Sequence, residues 1–252
     1  MEIRFEKLKV QLGGHAVLHG VSLFTRERSM TGLIGPNGCG KSTLIKSLFG
    51  IVPIQSGDIF LNGRSRKKMR QRDIAGMVGY VGQDSSSLFD FTVREIAEMG
   101  LFARKANLTR AEKDDIVSEA LETLHIADMQ YRNVQTLSGG ERKMAFVART
   151  LVQGVDTVIL DEPTNHLDIH HQLYLLDYLK NSGKTILIVL HDLHLAAGFC
   201  DRLFLLKNGK NVADGTPEEV LTPEHVRDVF RVNGHAVRKG DKTDFELEMS
   251  LP

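Results

Sequence analysis

The sequence predicts an α/β fold with a mainly parallel sheet. Two observations predict it. Short apolar runs at Thr31–Ile34, Met77–Val81, Val158–Leu160 and Thr185–Leu190 have the length and unbroken hydrophobicity of strands buried on both faces. Each run stops at a polar group or a glycine loop: the loop from Gly35, then Gln83, Asp161-Glu162 and His191. Ligands of open α/β sheets sit beyond the carboxyl ends of the strands, so these four loci are expected to converge on one site.

The other elements follow in order. Between about Phe91 and Gln135 no strand-like run occurs. Thr92-x-x-Glu95 and Thr109-x-x-Glu112 are capping-box patterns that open helices, and Ile116, Ala120, Leu121 and Leu124 recur at helical spacing. This stretch is expected to be an inserted helical subdomain within a single domain spanning 1–252, with a core formed by about 1–90 and 136–230. Leu203–Leu206 and Asn211–Ala213 flank Asn208-Gly209, a hairpin signal. Thr216-Pro217 starts a helix with proline at its first position. The residues from about 231 to 252 end in a polar, charged stretch and are expected to form a weakly packed tail.

Bulk properties narrow the function. The chain has 252 residues, enough for a substantial core, and a formal net charge of +0. Charge balance argues against a nucleic-acid partner. Two cysteines, Cys39 and Cys200, cannot make a disulfide framework and suit a reducing compartment. The start lacks the pattern of a signal peptide, and no apolar run is long enough to span a bilayer. Any membrane role is therefore expected to come through a partner.

Chemistry concentrates in three segments. Gly35-Pro36-Asn37-Gly38-Cys39-Gly40-Lys41-Ser42-Thr43 matches G-x-x-x-x-G-K-[ST] after a strand and before a helix. Its glycines let backbone N–H groups curl around phosphate oxygens, and the helix N-terminus adds donors and a positive dipole end. Lys41 brings a mobile charge for the β- and γ-phosphates, and Ser42 a hydroxyl for Mg²⁺. A P-loop NTPase core binding ATP and Mg²⁺ is expected. Val158–Leu160 runs into Asp161-Glu162. Mg²⁺ would offset the burial cost of Asp161, through water, and Glu162 would polarise an attacking water. Leu137-Ser138-Gly139-Gly140-Glu141 starts another helix. Ser138 and Glu141 form a capping box, and the glycines leave N–H groups bare for an anion, although a plain capped helix has the same pattern.

The phosphate loop, Gln83, Leu137–Glu141, Val158–Glu162, Asn165-His166-Leu167-Asp168 and His191, in that order, resemble the nucleotide-binding subunit of an ATP-binding cassette (ABC) transporter over residues from about 3 to 230. The resemblance implies an N-terminal antiparallel β subdomain and a head-to-tail homodimer. ATP would lie between residues 35–43 of one copy and Ser138, Gly139 and Gly140 of the other. It implies Glu162 as general base, His191 at the γ-phosphate, and Asp168 touching the second copy. It places Ser42, Gln83 and Asp161 at Mg²⁺, with Gln83 relaying to a polytopic membrane permease. Such a subunit would sit on the cytoplasmic face of the membrane and serve an extracytoplasmic substrate-binding protein indirectly. One departure is Leu12, where the family usually carries an aromatic ring that stacks on adenine; apolar contact from Leu12 or Val17 would substitute in part.

Subfamily texture at Gln83–Gly100, Val189–Ala197 and Gly215–Pro223 is similar to importers of iron-siderophore, haem or cobalamin chelates. The alternatives are the ATPase of another ABC transporter, for a vitamin, a metal ion or export, and a soluble ABC protein acting on ribosomes or DNA. One phosphate loop and no heptad run disfavour the last. A metal site at the His170-His171 or His191/His194 pairs is disfavoured, since His191 already has a role at the γ-phosphate. The basic run Arg64–Arg72 is read as a solvated helix face, and Cys39 as a small loop residue.

Overall fold

The computed structural model describes residues 1–83, 90–104 and 107–248. They form two compact units: Met1–Met69 with Leu179–Pro252, and Arg70–Tyr178. The chain enters the first unit with β1 (Ile3–Leu12), β2 (His15–Phe24), β3 (Met30–Ile34), α1 (Lys41–Leu48), β4 (Ser56–Leu61) and β5 (Arg64–Ser65). The second unit holds α2 (Gln71–Ala75), β6 (Val78–Val81), α3 (Val93–Glu98), α4 (Arg110–Thr123), α5 (Gly139–Gln153), β7 (Thr157–Asp161) and most of α6 (Ile169–Asn181). The return to the first unit adds β8 (Thr185–Val189), α7 (Leu193–Phe199), β9 (Arg202–Lys207), β10 (Lys210–Gly215), α8 (Pro217–Val220), α9 (Pro223–Phe230), β11 (Gly234–Lys239) and β12 (Lys242–Leu247).

In the first unit, β2-β1-β4-β5 form an antiparallel sheet, the N-terminal β subdomain that the resemblance implied. A second run has the order β10-β9-β3-β8, with β3 parallel to both β8 and β9. All five residues of β3 and all five of β8 are buried, which is why their sequences are continuously apolar. β9 and β10 close through Asn208 and Gly209, both at positive φ (47° and 69°), the geometry that matches strand twist in a two-residue hairpin.

The C-terminal stretch departs from the expected loose tail. β11 and β12 pair in register from Gly234↔Leu247 to Lys239↔Lys242 around Gly240-Asp241. Phe245 is buried at 3% exposure, and its ring meets His194 of α7 edge-on at 5.3 Å. One aromatic anchor holds an otherwise charged ribbon, so composition alone hid it.

In the second unit, β6 and β7 pair in parallel from Val78↔Thr157 to Val81↔Leu160. Thr92 and Glu95 cap α3, and Thr109 and Glu112 cap α4, with reciprocal bonds in both boxes. α5 opens at Ser138 and stops at Gly154, whose φ of 70° ends the helix. It buries Met144, Ala145, Val147, Ala148 and Val152. The basic run 64–72 is not one helix face, because it is spread over β5, a single 3₁₀ turn and the start of α2. Local acceptors draw its charges apart: Arg66 donates to the Leu48 carbonyl, Lys67 to that of Gly57, and Arg70 pairs with Asp73. Of the segment 83–100 that carries subfamily texture, residues 84–89 lie outside those described.

Candidate nucleotide and catalytic site

The phosphate loop belongs to the first unit. β3 delivers the chain to Gly35, whose φ is 147° and where an added Cβ would lie 2.1 Å from the Leu206 carbonyl oxygen. Only glycine fits there, so β9 itself sets the entry to the loop. Pro36 is half-buried, Asn37 and Gly38 are exposed, and Cys39 and Gly40 are buried. The Cys39 N–H donates to the Pro36 carbonyl at 3.3 Å, and the Cys39 carbonyl accepts from the Gly209 N–H at 3.0 Å. The hairpin between β9 and β10 thus clamps the loop from behind. Burial pushes the Cys39 thiol up, which opposes thiolate chemistry there.

α1 begins at Lys41, so the N–H groups of Lys41, Ser42 and Thr43 belong to the turn that lacks intrahelical acceptors. Lys41 is 5% exposed, and its ammonium donates to the carbonyls of Gly35 at 2.8 Å and Pro36 at 3.0 Å. Ser42 and Thr43 are half-buried. This arrangement presents N–H donors, a lysine and two hydroxyls, the donor set that binds a polyphosphate. His191, also in this unit, follows β8 and is exposed. Leu12 ends β1 at 41% exposure, open to a flat apolar partner, and Val17 is half-buried.

The acidic cluster belongs to the second unit. Asp161 closes β7 at 0% exposure, and Glu162 follows at 7%. Glu162 has φ 53°, a left-handed backbone that costs a non-glycine residue on the order of 1–3 kcal/mol and gathers at functional sites. Its Oε2 accepts from the Gln83 amide at 3.0 Å and from the Asn165 amide at 2.7 Å. These two amide donors orient the carboxylate. The Tyr80 phenol is pushed up to about 12, first by burial and then by the charge of Asp161. Within this unit Asp161 and Gln83 offer carboxylate and amide oxygens, hard donors of the type that Mg²⁺ takes.

Ser138 caps α5. Its Oγ accepts from the Glu141 N–H at 3.2 Å, and Glu141 accepts in return from the Ser138 N–H at 2.8 Å. That bond from Ser138 holds the Glu141 carboxyl below its ordinary range. Ser138 and Gly139 are exposed, and Gly140 is buried where a Cβ would lie 2.7 Å from the His166 carbonyl oxygen. The glycine is therefore required by the packing of 165–168 against α5 as well as by any ligand. A cavity of about 290 Å³ lies here, lined by Ser138, Gly140, Glu141, His166 and Asp168 among others. Exposed Asp168 accepts from the His171 N–H and ring and so caps α6. Asp168, His170 and His171 bring ligand-type atoms within 4.8 Å of one another, while His191 and His194 are outside that cluster.

The structure thus joins Gln83 to Glu162, and Ser138–Gly140 to 166–168, within one unit. Sequence reasoning missed two members of the cluster, Asn165 as a donor to Glu162 and Lys143 behind Gln83. Asn165 lies three residues beyond Glu162, a spacing that a tight turn after the strand brings back onto the acid.

The profile of the ABC transporter family matches residues 18–165. The chain belongs to the ABC transporter family. As such it is an ATPase that binds ATP, and its hydrolysis is coupled to transport. This ABC ATPase is 36% identical to the iron(3+)-hydroxamate import ATP-binding protein FhuC of Bacillus subtilis (strain 168), over 92% of this chain and 88% of that one. It is 36% identical to the hemin import ATP-binding protein HmuV of Bradyrhizobium diazoefficiens, over 99% of this chain and 95% of that one. The solved structure of CbiO1 from Clostridium perfringens, part of the ABC transporter complex CbiONQ, superposes with a TM-score of 0.76 at 28% identity, covering 90% of this chain and 92% of that one.

Proposed function

We propose that this ABC ATPase powers a membrane importer of metal chelates, of the iron-siderophore, haem or cobalamin class. The observation that carries the reading is likeness over nearly the full chain to ATP-binding proteins named for hydroxamate-iron and hemin import. Texture at 189–197 and 215–223 agrees with it.

The working form is a head-to-tail homodimer. Residues 35–43 of one copy hold the ATP phosphates, and Ser138, Gly139 and Gly140 of the other copy close over them. The bare N–H groups at the start of α5 support that role. Glu162 takes a proton from the attacking water, His191 contacts the γ-phosphate, and Asp168 meets the second copy. Ser42, Gln83 and Asp161 would hold Mg²⁺, Asp161 through water, and the ion would neutralise charge on the phosphates. Catalysis rests on positioning and charge stabilisation, to which each well-placed donor adds about 3 kcal/mol. Half the donors arrive from the partner copy, so a lone subunit turns over slowly.

Among the described residues no helix is long and apolar enough to cross a membrane. The membrane step is assigned to permease subunits, reached through Gln83 and the helical subdomain at about 91–135, with this chain on the cytoplasmic face. The likeness to import ATP-binding proteins supports that reading. A substrate-binding protein outside would be served indirectly, and the balanced charge supports no nucleic-acid role.

Cells lacking this chain test the substrate class. Uptake of iron as ferric hydroxamate, of hemin and of cyanocobalamin is measured beside a complemented strain. Loss of one of the three, restored by the wild-type chain and not by Glu162→Gln, is expected. Unchanged uptake of all three would overturn the chelate reading.

A further inference from the structure

α5 carries more than its N-terminal Ser138. One turn into the helix, on its buried side, stands Lys143, 3% exposed among Met144, Ala145 and Val147. Its ammonium donates to the carbonyl oxygen of Gly82 at 2.9 Å and to that of Gln83 at 2.9 Å. These two residues are where the chain leaves β6. The Gln83 side chain in turn donates to Oε2 of Glu162. A hydrogen-bonded path therefore runs from the helix that bears Ser138 and the glycines, through Lys143, to the main chain and then the amide of Gln83, and ends on the acid.

Burying an ammonium is costly, and an apolar side chain would complete this face of α5 without that cost. Lysine supplies what an apolar residue cannot: three donors on a stem long enough to reach two successive carbonyls. Together these fix the direction in which residue 83 leaves the strand, and so where its amide lands.

We propose that Lys143 is a positioning residue for hydrolysis, locking Gln83 so that its amide holds the Glu162 carboxylate, and tying that lock to the helix whose N-terminus engages the second copy. Contact at Ser138–Gly140 and the aim of the acid are then mechanically linked within one unit. The proposal rests on the reading of Glu162 as general base.

The test compares ATPase kinetics of the full chain for wild type, Lys143→Met, Lys143→Arg, Gln83→Ala, the Lys143→Met/Gln83→Ala double variant and Glu162→Gln, with melting temperatures alongside. A displaced positioning group costs about tenfold to a hundredfold in kcat. That loss is expected in Lys143→Met with KM for ATP unchanged, and Lys143→Arg recovers most of it. In the Gln83→Ala background the Met substitution costs little more, because the group it positions is gone. A purely structural lysine would cost the same in both backgrounds, which would overturn the proposal, as would wild-type turnover by Lys143→Met. If Glu162→Gln is inactive while Lys143→Met is normal, only this inference falls. If Glu162→Gln turns over normally, the base assignment falls and takes this inference with it. Should Lys143→Met melt below the assay temperature, Lys143→Gln, too short to reach both carbonyls, replaces it with the same criteria.

Discussion

Glu162→Gln is expected to lower kcat by about 10²- to 10⁴-fold, the range for loss of a general base, and to leave ATP binding intact. The geometry says why the loss is chemical. Glu162 is buried, and one of its oxygens already accepts from Gln83 and Asn165. A glutamine placed there keeps an oxygen for those donors and keeps the size of the side chain. The turn at Glu162 is left-handed, and glutamine meets the same backbone cost, so the strain is unchanged. What disappears is the capacity to take a proton. Stopped-flow or steady-state ATPase assays with parallel nucleotide-binding measurements check this. Turnover near the wild-type rate would remove Glu162 as the base.

Lys41→Ala is expected to abolish measurable hydrolysis by removing ATP binding itself. Truncating one partner of a close charged pair costs about 2–5 kcal/mol, roughly 30-fold to several-thousandfold in affinity. Two losses add here. The phosphates lose their cation, and the Gly35 and Pro36 carbonyls lose the ammonium that ties the loop together. Lys41→Arg separates the two, since it keeps the charge but carries a larger planar head. Calorimetric titration with ATP is the measurement. Affinity within a few-fold of wild type in Lys41→Ala would mean that backbone N–H groups alone hold the phosphates.

Much of this was legible because the sequence states its local rules openly. β3 and β8 lie between polar stops and are buried along their whole length, so unbroken hydrophobicity identified them. The Thr92, Thr109 and Ser138 caps could be read because the capping box is a four-residue event. Asn208-Gly209 announced its hairpin in the same way. Long-range contacts were not legible. Lys143 reaches across 60 residues to Gln83, and no local pattern separates it from a solvated lysine. The β11–β12 ribbon is held by Phe245 within a charged stretch, and composition argued the other way. The basic run 64–72 looked like one helix face because charge is visible in sequence and its backbone acceptors are not.

The shared site is the central claim, and concentration tests it most directly. ATPase rate per subunit is measured against protein concentration, with sedimentation in the presence of ATP and Glu162→Gln as the blank. A site completed by Ser138–Gly140 of a second copy predicts a rate per subunit that climbs as ATP-bound dimers form, and none in the variant. Full turnover, constant on dilution, in samples that sediment as monomers would contradict it.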